Sequence, residues 1–233
     1  MAARRRILRP VLLSLLGVLV VLAVLLFTPV TDPGLASRPQ PAPGYAEAAA
    51  AIEQVRAEEA ALPLLGRGGS IAALTGARTP VAVVIFHGYT NTPDGFRLVA
   101  KAYHDQGYNV WVPRMPHHGL ADKMTDEFSL LTAEELRAFA DRAIDVGAGL
   151  GEKVLTVGLS GGGALATWAA VERPEVTRTV LVSPLLNPSG YAPWMIPPMA
   201  RALRLSPVDS YSWWAPEKGA DNVAGMVYPR YSL

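Results

Sequence analysis

The sequence contains no cysteine. Disulfides, thiolate nucleophiles and cysteine-ligated zinc are therefore excluded. Charge is also scarce in the first thirty residues, where Arg4, Arg5, Arg6 and Arg9 are the only charged side chains. Without those four arginines, 17 basic face 20 acidic residues, a net charge of −3 for the remainder. No basic stripe with interleaved aromatics is present, which excludes nucleic acid as a partner class. Histidine is rare: His87, His104, His117 and His118 are the only four, and none follows position 118. What the chain has in quantity is apolar side chain, half of its 233 residues. That is enough to bury the core of one α/β domain and leave a terminal extension.

Val11 to Phe27 is an uncharged apolar run bracketed by Pro10 and Pro29. As a helix it would extend ~26 Å at about 1.5 Å per residue, close to the thickness of a hydrocarbon core. The arginines before it place the N-terminus in the cytoplasm and the remainder outside, by the positive-inside bias. Two readings stand: a single-pass signal anchor at the cell membrane, or a signal peptide cut near Gly34-Leu35-Ala36 to release a secreted protein. Residues 1–30 are thus read as an Arg-rich tip with a transmembrane helix. Residues 31–44, with Pro33, Pro39, Pro41 and Pro43, are read as an extended linker. Tyr45 to Leu62 is alanine-rich and reads as a helix with a packing role.

From there the pattern alternates. Val81 to Phe86 is a β-branched run that fits a strand buried on both faces. Pro93 opens a helix to about Gln106, and Tyr108 to Val112 is the next strand. Thr132-Ala133-Glu134-Glu135 is a capping box that opens a helix to about Ala148. Lys153 to Val157, a helix over Ala164 to Val171, and Thr179 to Val182 complete the series. Strands alternating with helices imply a doubly wound, mainly parallel sheet. Gly68 to Leu74 is expected to add an antiparallel strand before it.

Between the strand at Lys153–Val157 and the next helix lies Gly158-Leu159-Ser160-Gly161-Gly162. A serine on a sharp strand-to-helix turn, with small residues two before and two after, is a nucleophile elbow. Side chains at Gly158 or Gly162 would clash in such a turn, and the turn aims the Gly161 amide at a developing oxyanion.

Three motifs together, Phe86-His87-Gly88-Tyr89-Thr90, Pro113-Arg114-Met115-Pro116-His117-His118-Gly119 and the elbow, make the chain resemble an α/β-hydrolase. The closest likeness is to the monoacylglycerol-lipase and serine-aminopeptidase branch, from about Ala82 to Pro184. The resemblance implies Ser160 as nucleophile and the Tyr89 and Gly161 amides as the two halves of an oxyanion hole. It implies a scaffold role for His87, hydrogen-bonded to nearby main chain, and for the His-Gly turn at His118. No metal or other cofactor is expected: adjacent His117 and His118 seldom face one ligand, and no third ligand is suitably spaced. His104 is read as a solvent-facing helix residue.

The order of the triad on this fold is serine, acid, histidine. No histidine follows Ser160. Asp209, Glu217 and Asp221 are the acids of the proline- and tryptophan-rich end, and read as solvated surface charges. Residues 45–183 are accordingly read as the hydrolase core and 184–233 as part of a lid. Tyr191, Trp194, Met195, Ile196, Met199, Leu203, Tyr211, Trp213 and Trp214 make that lid apolar. It would either cover an apolar acyl substrate or pack on the sheet as core. The expectation is that the chain stops inside the lid, on the order of 70–100 residues short of a complete fold, and that the missing acid and base leave it nearly inactive. A second reading is a non-catalytic protein that binds a ligand on the same fold. A haloalkane- or epoxide-opening enzyme would need Asp where Ser160 stands.

Overall fold

A computed structural model describes residues 2–28, 32–187, 190–205, 211–213 and 228–232. The elements in chain order are α1 (Ala2–Phe27), α2 (Tyr45–Ala60), β1 (Ile71–Ala73), β2 (Thr79–Phe86), α3 (Arg97–His104), β3 (Asn109–Val112), α4 (Ala133–Leu150), β4 (Gly151–Leu159), α5 (Gly161–Glu172), β5 (Val176–Val182), α6 (Ile196–Leu205), β6 (Tyr211–Trp213) and β7 (Arg230–Ser232). They divide into two compact units. One comprises Met1–Asp32 with Asn187–Val208; the other comprises Pro33–Leu186 with Asp209–Leu233.

The larger unit is built on a five-stranded sheet of order β1-β3-β2-β4-β5. β1 runs antiparallel to β3, as expected of Gly68–Leu74, and the other neighbours are parallel. After β2 the chain moves to β3 on one side, then crosses back to β4 on the other side of β2. The C-terminal ends of β2 and β4 therefore meet at a topological switch point, where open α/β sheets hold ligands. The register Phe86↔Gly158 sets His87–Tyr89 beside the turn that follows β4.

The continuous apolar character of β2 follows from burial on both faces. Ala82, Val84 and Phe86 point to one layer, with Ile52 of α2, Ile144 of α4 and Ala166 of α5. Val83 and Ile85 point to the other, with Phe96, Ala100 of α3 and Val110. α4 begins at the expected capping box: Thr132 Oγ1 accepts from the Glu135 amide, and the Glu135 carboxylate accepts from the Thr132 amide. The helix expected from Pro93 is a 3-10 turn, Pro93–Phe96, followed by α3.

The expected linker behaves differently from Pro33 onward. Ser37 Oγ donates to Asp141 at 2.5 Å, the Arg38 amide to the same carboxylate at 2.9 Å, and the Ala42 amide to Asp145 O at 3.0 Å. Trp168 Nε1 of α5 donates to Leu35 O at 2.9 Å. Proline removes amides that would otherwise need partners, and those of Ser37, Arg38, Gln40 and Ala42 are tied to α4 and α5, so the segment is a strap on the α/β unit.

The smaller unit holds α1 and α6. Phe27 and Trp194 rings lie 6.0 Å apart, and Arg201 Nη2 donates to Thr28 O at 2.8 Å. The expected transmembrane helix is not supported: among the described residues no helix is long and apolar enough to cross a membrane. The helix itself forms, with its apolar side chains exposed from Leu13 to Phe27.

The segment read as one lid, 184–233, is divided between the units at 186/187 and again at 208/209. Asp209, Trp214, Glu217 and Asp221 lie outside the described residues, as does the Leu203 side chain. In the larger unit β6 pairs antiparallel with β7, Tyr211↔Ser232 to Trp213↔Arg230.

Candidate active site

Ser160 sits at φ 52°, ψ −117°, between β4 and α5. A non-glycine residue with positive φ at such a turn is strained and persists only where its surroundings over-determine it. They do so here through main-chain bonds. The Ser160 amide donates to Val182 O at 3.0 Å, and Ser160 O accepts from Gly163 at 2.8 Å and Leu185 at 2.9 Å. The end of β5 and the segment after it thus brace the turn. The flanking glycines are required by contact. A Cβ on Gly158 would lie 2.3 Å from Gly162 O, and one on Gly162 would lie 2.2 Å from Phe86 O. The Ser160 side chain makes no cap bond to its helix and is half-buried. Among the described residues no histidine or carboxylate bonds to its hydroxyl.

The loop after β2 closes on this turn. A Cβ built on Gly161 would stand 3.1 Å from Tyr89 Cβ and 3.5 Å from Tyr89 N. The two amides that the sequence singles out are therefore neighbours beside Ser160. Among the described residues neither amide has an acceptor. Donors left open next to a strained serine match what an acyl-transfer site presents to a developing oxyanion.

His87 explains how the loop is held. Its Nε2 accepts from the Met115 amide at 3.0 Å, so Nδ1 must carry the proton and donate to Gly88 O at 2.9 Å. Gly88 O also accepts from the Asn91 amide at 3.0 Å. The Gly88 carbonyl and the Tyr89 N–H share one peptide unit, so both bonds orient that N–H. Full burial pushes the His87 ring down to about 3, with the neighbouring His118 adding to the effect and the Gly88 bond opposing it. The ring is thus a neutral fixture of the main chain, in line with the scaffold role that the resemblance implies.

His117 and His118 face different partners. His117, at φ 63°, sets Nδ1 2.7 Å from Glu127 and Nε2 3.5 Å from Glu135, the residue of the α4 capping box. His118 turns inward, with Nδ1 2.7 Å from Pro116 O and Nε2 2.5 Å from Tyr89 O. Burial pushes its ring down to about 4, against the two carbonyl contacts that favour its charged form. Among the described residues no group of three or more histidine and acidic side chains could hold a metal ion. His104 Nδ1 lies 3.3 Å from Tyr108 O, at the end of α3.

Several residues at the site carry no sequence signal. Glu59 of α2, read only as packing, is buried and accepts from the Ser70 amide at 2.8 Å, Ser70 Oγ at 2.6 Å and Arg114 Nε at 3.1 Å. Arg114 Nη1 in turn donates to His118 O at 2.8 Å. At the other end of the chain, Ser232 Oγ lies 2.9 Å from the Tyr89 hydroxyl. The buried Tyr228 accepts from the Leu120 amide at 2.8 Å and meets the Phe128 ring edge-on at 4.6 Å. Burial raises both the Tyr89 and Tyr228 phenols above their ordinary value. A separate cavity of about 340 Å³ lies between α2, α4 and the end of β3, lined by Val55, Trp111 and Phe139 among others. None of its lining residues belongs to the elbow or to residues 87–90.

The sequence and the fold both have likenesses among known proteins. Over 110 residues the chain is 31% identical to the thermostable monoacylglycerol lipase of Bacillus sp. (strain H-257), covering 45% of this chain and 40% of that protein. A solved structure from work on LipS and LipT, two metagenome-derived lipolytic enzymes, superposes with a TM-score of 0.54 at 22% identity, covering 72% of this chain and 65% of that one. The chain thus spans less than two thirds of the length of either relative, and the second likeness speaks to the fold. Residues 83–231 match the model of the Alpha/beta hydrolase family. That match runs from the second half of β2 through the Tyr89 loop and the elbow into β7, well over half of the sequence, and with it the chain belongs to the alpha/beta hydrolase family.

Proposed function

We propose that the protein is a lipase- or esterase-like serine hydrolase that cleaves carboxylic esters through an acyl-enzyme on Ser160. The observation that carries the proposal is the strained Ser160 beside the two open amides of Tyr89 and Gly161. The lipase and lipolytic relatives support the choice of ester over peptide, and an apolar acyl group suits a lipase-like substrate. In this reading Ser160 Oγ attacks the ester carbonyl carbon and gives up its proton to a general base, which later returns it to the leaving alcohol. The carbonyl oxygen becomes an oxyanion held by the two N–H groups. Collapse expels the alcohol, which takes up a proton, and water then hydrolyses the acyl-serine.

The proton from Ser160 needs an acceptor. The four histidines of the sequence do not provide one: His87, His104, His117 and His118 are each engaged with other groups. That same fact favours a second reading, a ligand-binding protein on the hydrolase fold with no turnover. Fluorophosphonate labelling of the protein as encoded, together with hydrolysis of nitrophenyl esters of graded acyl length, decides between them. The hydrolase reading expects a label on Ser160 that Ser160→Ala abolishes, along with turnover. A folded protein that takes no label and turns over no ester belongs to the second.

The proposal further attaches the protein to a membrane through the N-terminal helix. The support is the exposed apolar surface of residues 13–27 behind four arginines. Membrane pellets washed in alkaline carbonate should retain the protein. Recovery of a soluble chain that begins near Ser37 would instead show cleavage and secretion.

A further inference from the structure

The direction of the Tyr89 N–H is set by the peptide unit before it, and that unit keeps its place in the site when the loop is anchored on both sides of the Tyr89 Cα. The preceding unit is held at Gly88 O by His87 and Asn91. Among the described residues, the following unit is held at Tyr89 O from outside the loop by His118 Nε2 at 2.5 Å. His118 is itself anchored. Arg114, paired with Glu59, bonds to the His118 carbonyl, and the Phe128 ring packs 4.6 Å from the imidazole.

The chemistry of the ring makes this contact selective. His118 faces two carbonyl oxygens, of Pro116 at 2.7 Å and of Tyr89 at 2.5 Å, and both can only accept. Deep burial favours the neutral ring, which has a single proton to give. On Nδ1 that proton would serve a carbonyl two residues away in the same loop and leave a bare nitrogen lone pair against Tyr89 O at the shorter distance. On Nε2 it serves the shorter contact, leaves the Nδ1 lone pair toward Pro116 O at the longer one, and ties two loops together.

We infer that His118 is a positioning residue for ester cleavage: its Nε2–H donates to the Tyr89 carbonyl and thereby aims the Tyr89 amide at the oxyanion site. The inference rests on the hydrolase reading of Ser160, Tyr89 and Gly161, and adds to it the group that sets one donor's direction. An oxyanion donor acts in the transition state, so a loss of aim lowers kcat and leaves KM nearly unchanged.

The test joins ring spectroscopy with three variants. Nitrogen NMR of histidine-labelled protein at neutral pH should show His118 protonated at Nε2. Glutamine places an amide donor near the position of Nε2, asparagine reaches only the position of Nδ1, and leucine offers neither. His118→Gln should keep kcat within a few fold. His118→Asn and His118→Leu should lose about tenfold or more in kcat, the lower part of the effect of removing an oxyanion donor. All are assayed well below their melting temperatures, so that stability does not enter. A ring protonated on Nδ1 alone, or a His118→Asn variant with wild-type kcat, would overturn the inference. If wild-type protein neither labels at Ser160 nor turns over ester, the hydrolase reading is what fails, and the ring spectrum still decides where the His118 proton lies.

Discussion

Two buried imidazoles dominate the residue scale. His87 and His118 are held neutral by burial, their rings pushed from 6.5 down to about 3 and about 4. The unfolded chain would bind protons at these rings below about pH 6.5, while the folded chain refuses them until the lower values are reached. Stability therefore rises with pH across that window and is lost as pH falls through it. Each ring contributes a slope of about 1.4 kcal/mol per pH unit where it is charged only in the unfolded state. Urea unfolding between pH 7 and 5, above most carboxylate titration, should show the midpoint falling with acidity. His118→Gln should show a shallower fall than wild type. A flat profile would mean that these rings are not held neutral in the fold. The elbow glycines belong to this scale as well. Gly162→Ala would put a methyl carbon within 2.2 Å of Phe86 O, on a main chain that cannot yield without breaking the β2–β4 register. Their spacing was readable from the sequence, because the requirement is local.

At the scale of elements, Arg173 has the largest part. It follows α5, its side chain is fully buried, and it reaches Asp141 at 3.0 Å, Asp145 at 2.6 Å and Glu175 at 3.1 Å. Burial alone would raise Asp141, but the bonds from Ser37, Arg38, Arg137 and Arg173 outweigh it and hold the carboxyl below its usual value. At Asp145 burial wins over Arg173, and the carboxyl is raised. One guanidinium thus joins α4, α5 and the strap at residues 37–42. Arg173→Met would leave Asp145 and Glu175 without their counter-charge and Asp141 with Arg137 alone, a loss on the order of 3–5 kcal/mol. Chemical denaturation measures it, and limited proteolysis should show the strap cut first. A loss below about 1 kcal/mol would show that the strap docks without the cluster. None of this was legible in the sequence. Asp141, Asp145 and Glu175 look like ordinary helix and turn acids, and their meeting depends on how α4 and α5 pack. The elements themselves were legible, because β-branched runs and a capping box act within a few residues.

For the whole molecule, the sheet ends among the described residues at β5, whose Val180, Leu181 and Val182 are each about two-fifths exposed. A hydrophobic edge strand with open backbone groups is a template for pairing with another strand. The 233-residue chain should self-associate in dilute solution, and Leu181→Lys should reduce light scattering while leaving the circular dichroism unchanged. Equal scattering from both proteins would place the association elsewhere, α1 being the other large apolar surface. The division into two units also belongs to this scale. A proline-rich stretch suggested a boundary after residue 44, whereas the larger unit begins at Pro33 and takes back the chain end from Asp209. Proline reports on local extension and says nothing of what an extended segment lies against.

The sequence by itself determined the alternation of strands and helices, the strained serine turn and the two amides beside it. Each follows from sterics and hydrogen bonding between residues close in the chain, or from strands whose order the crossovers constrain. Only the tertiary structure decided where the His87 proton sits, that Glu59 and Arg173 are anchors, and that Tyr228 and Ser232 close on the Tyr89 loop. Those outcomes depend on burial and on partners more than fifty residues away in most cases, and no local pattern records what a side chain will meet once water is removed from around it.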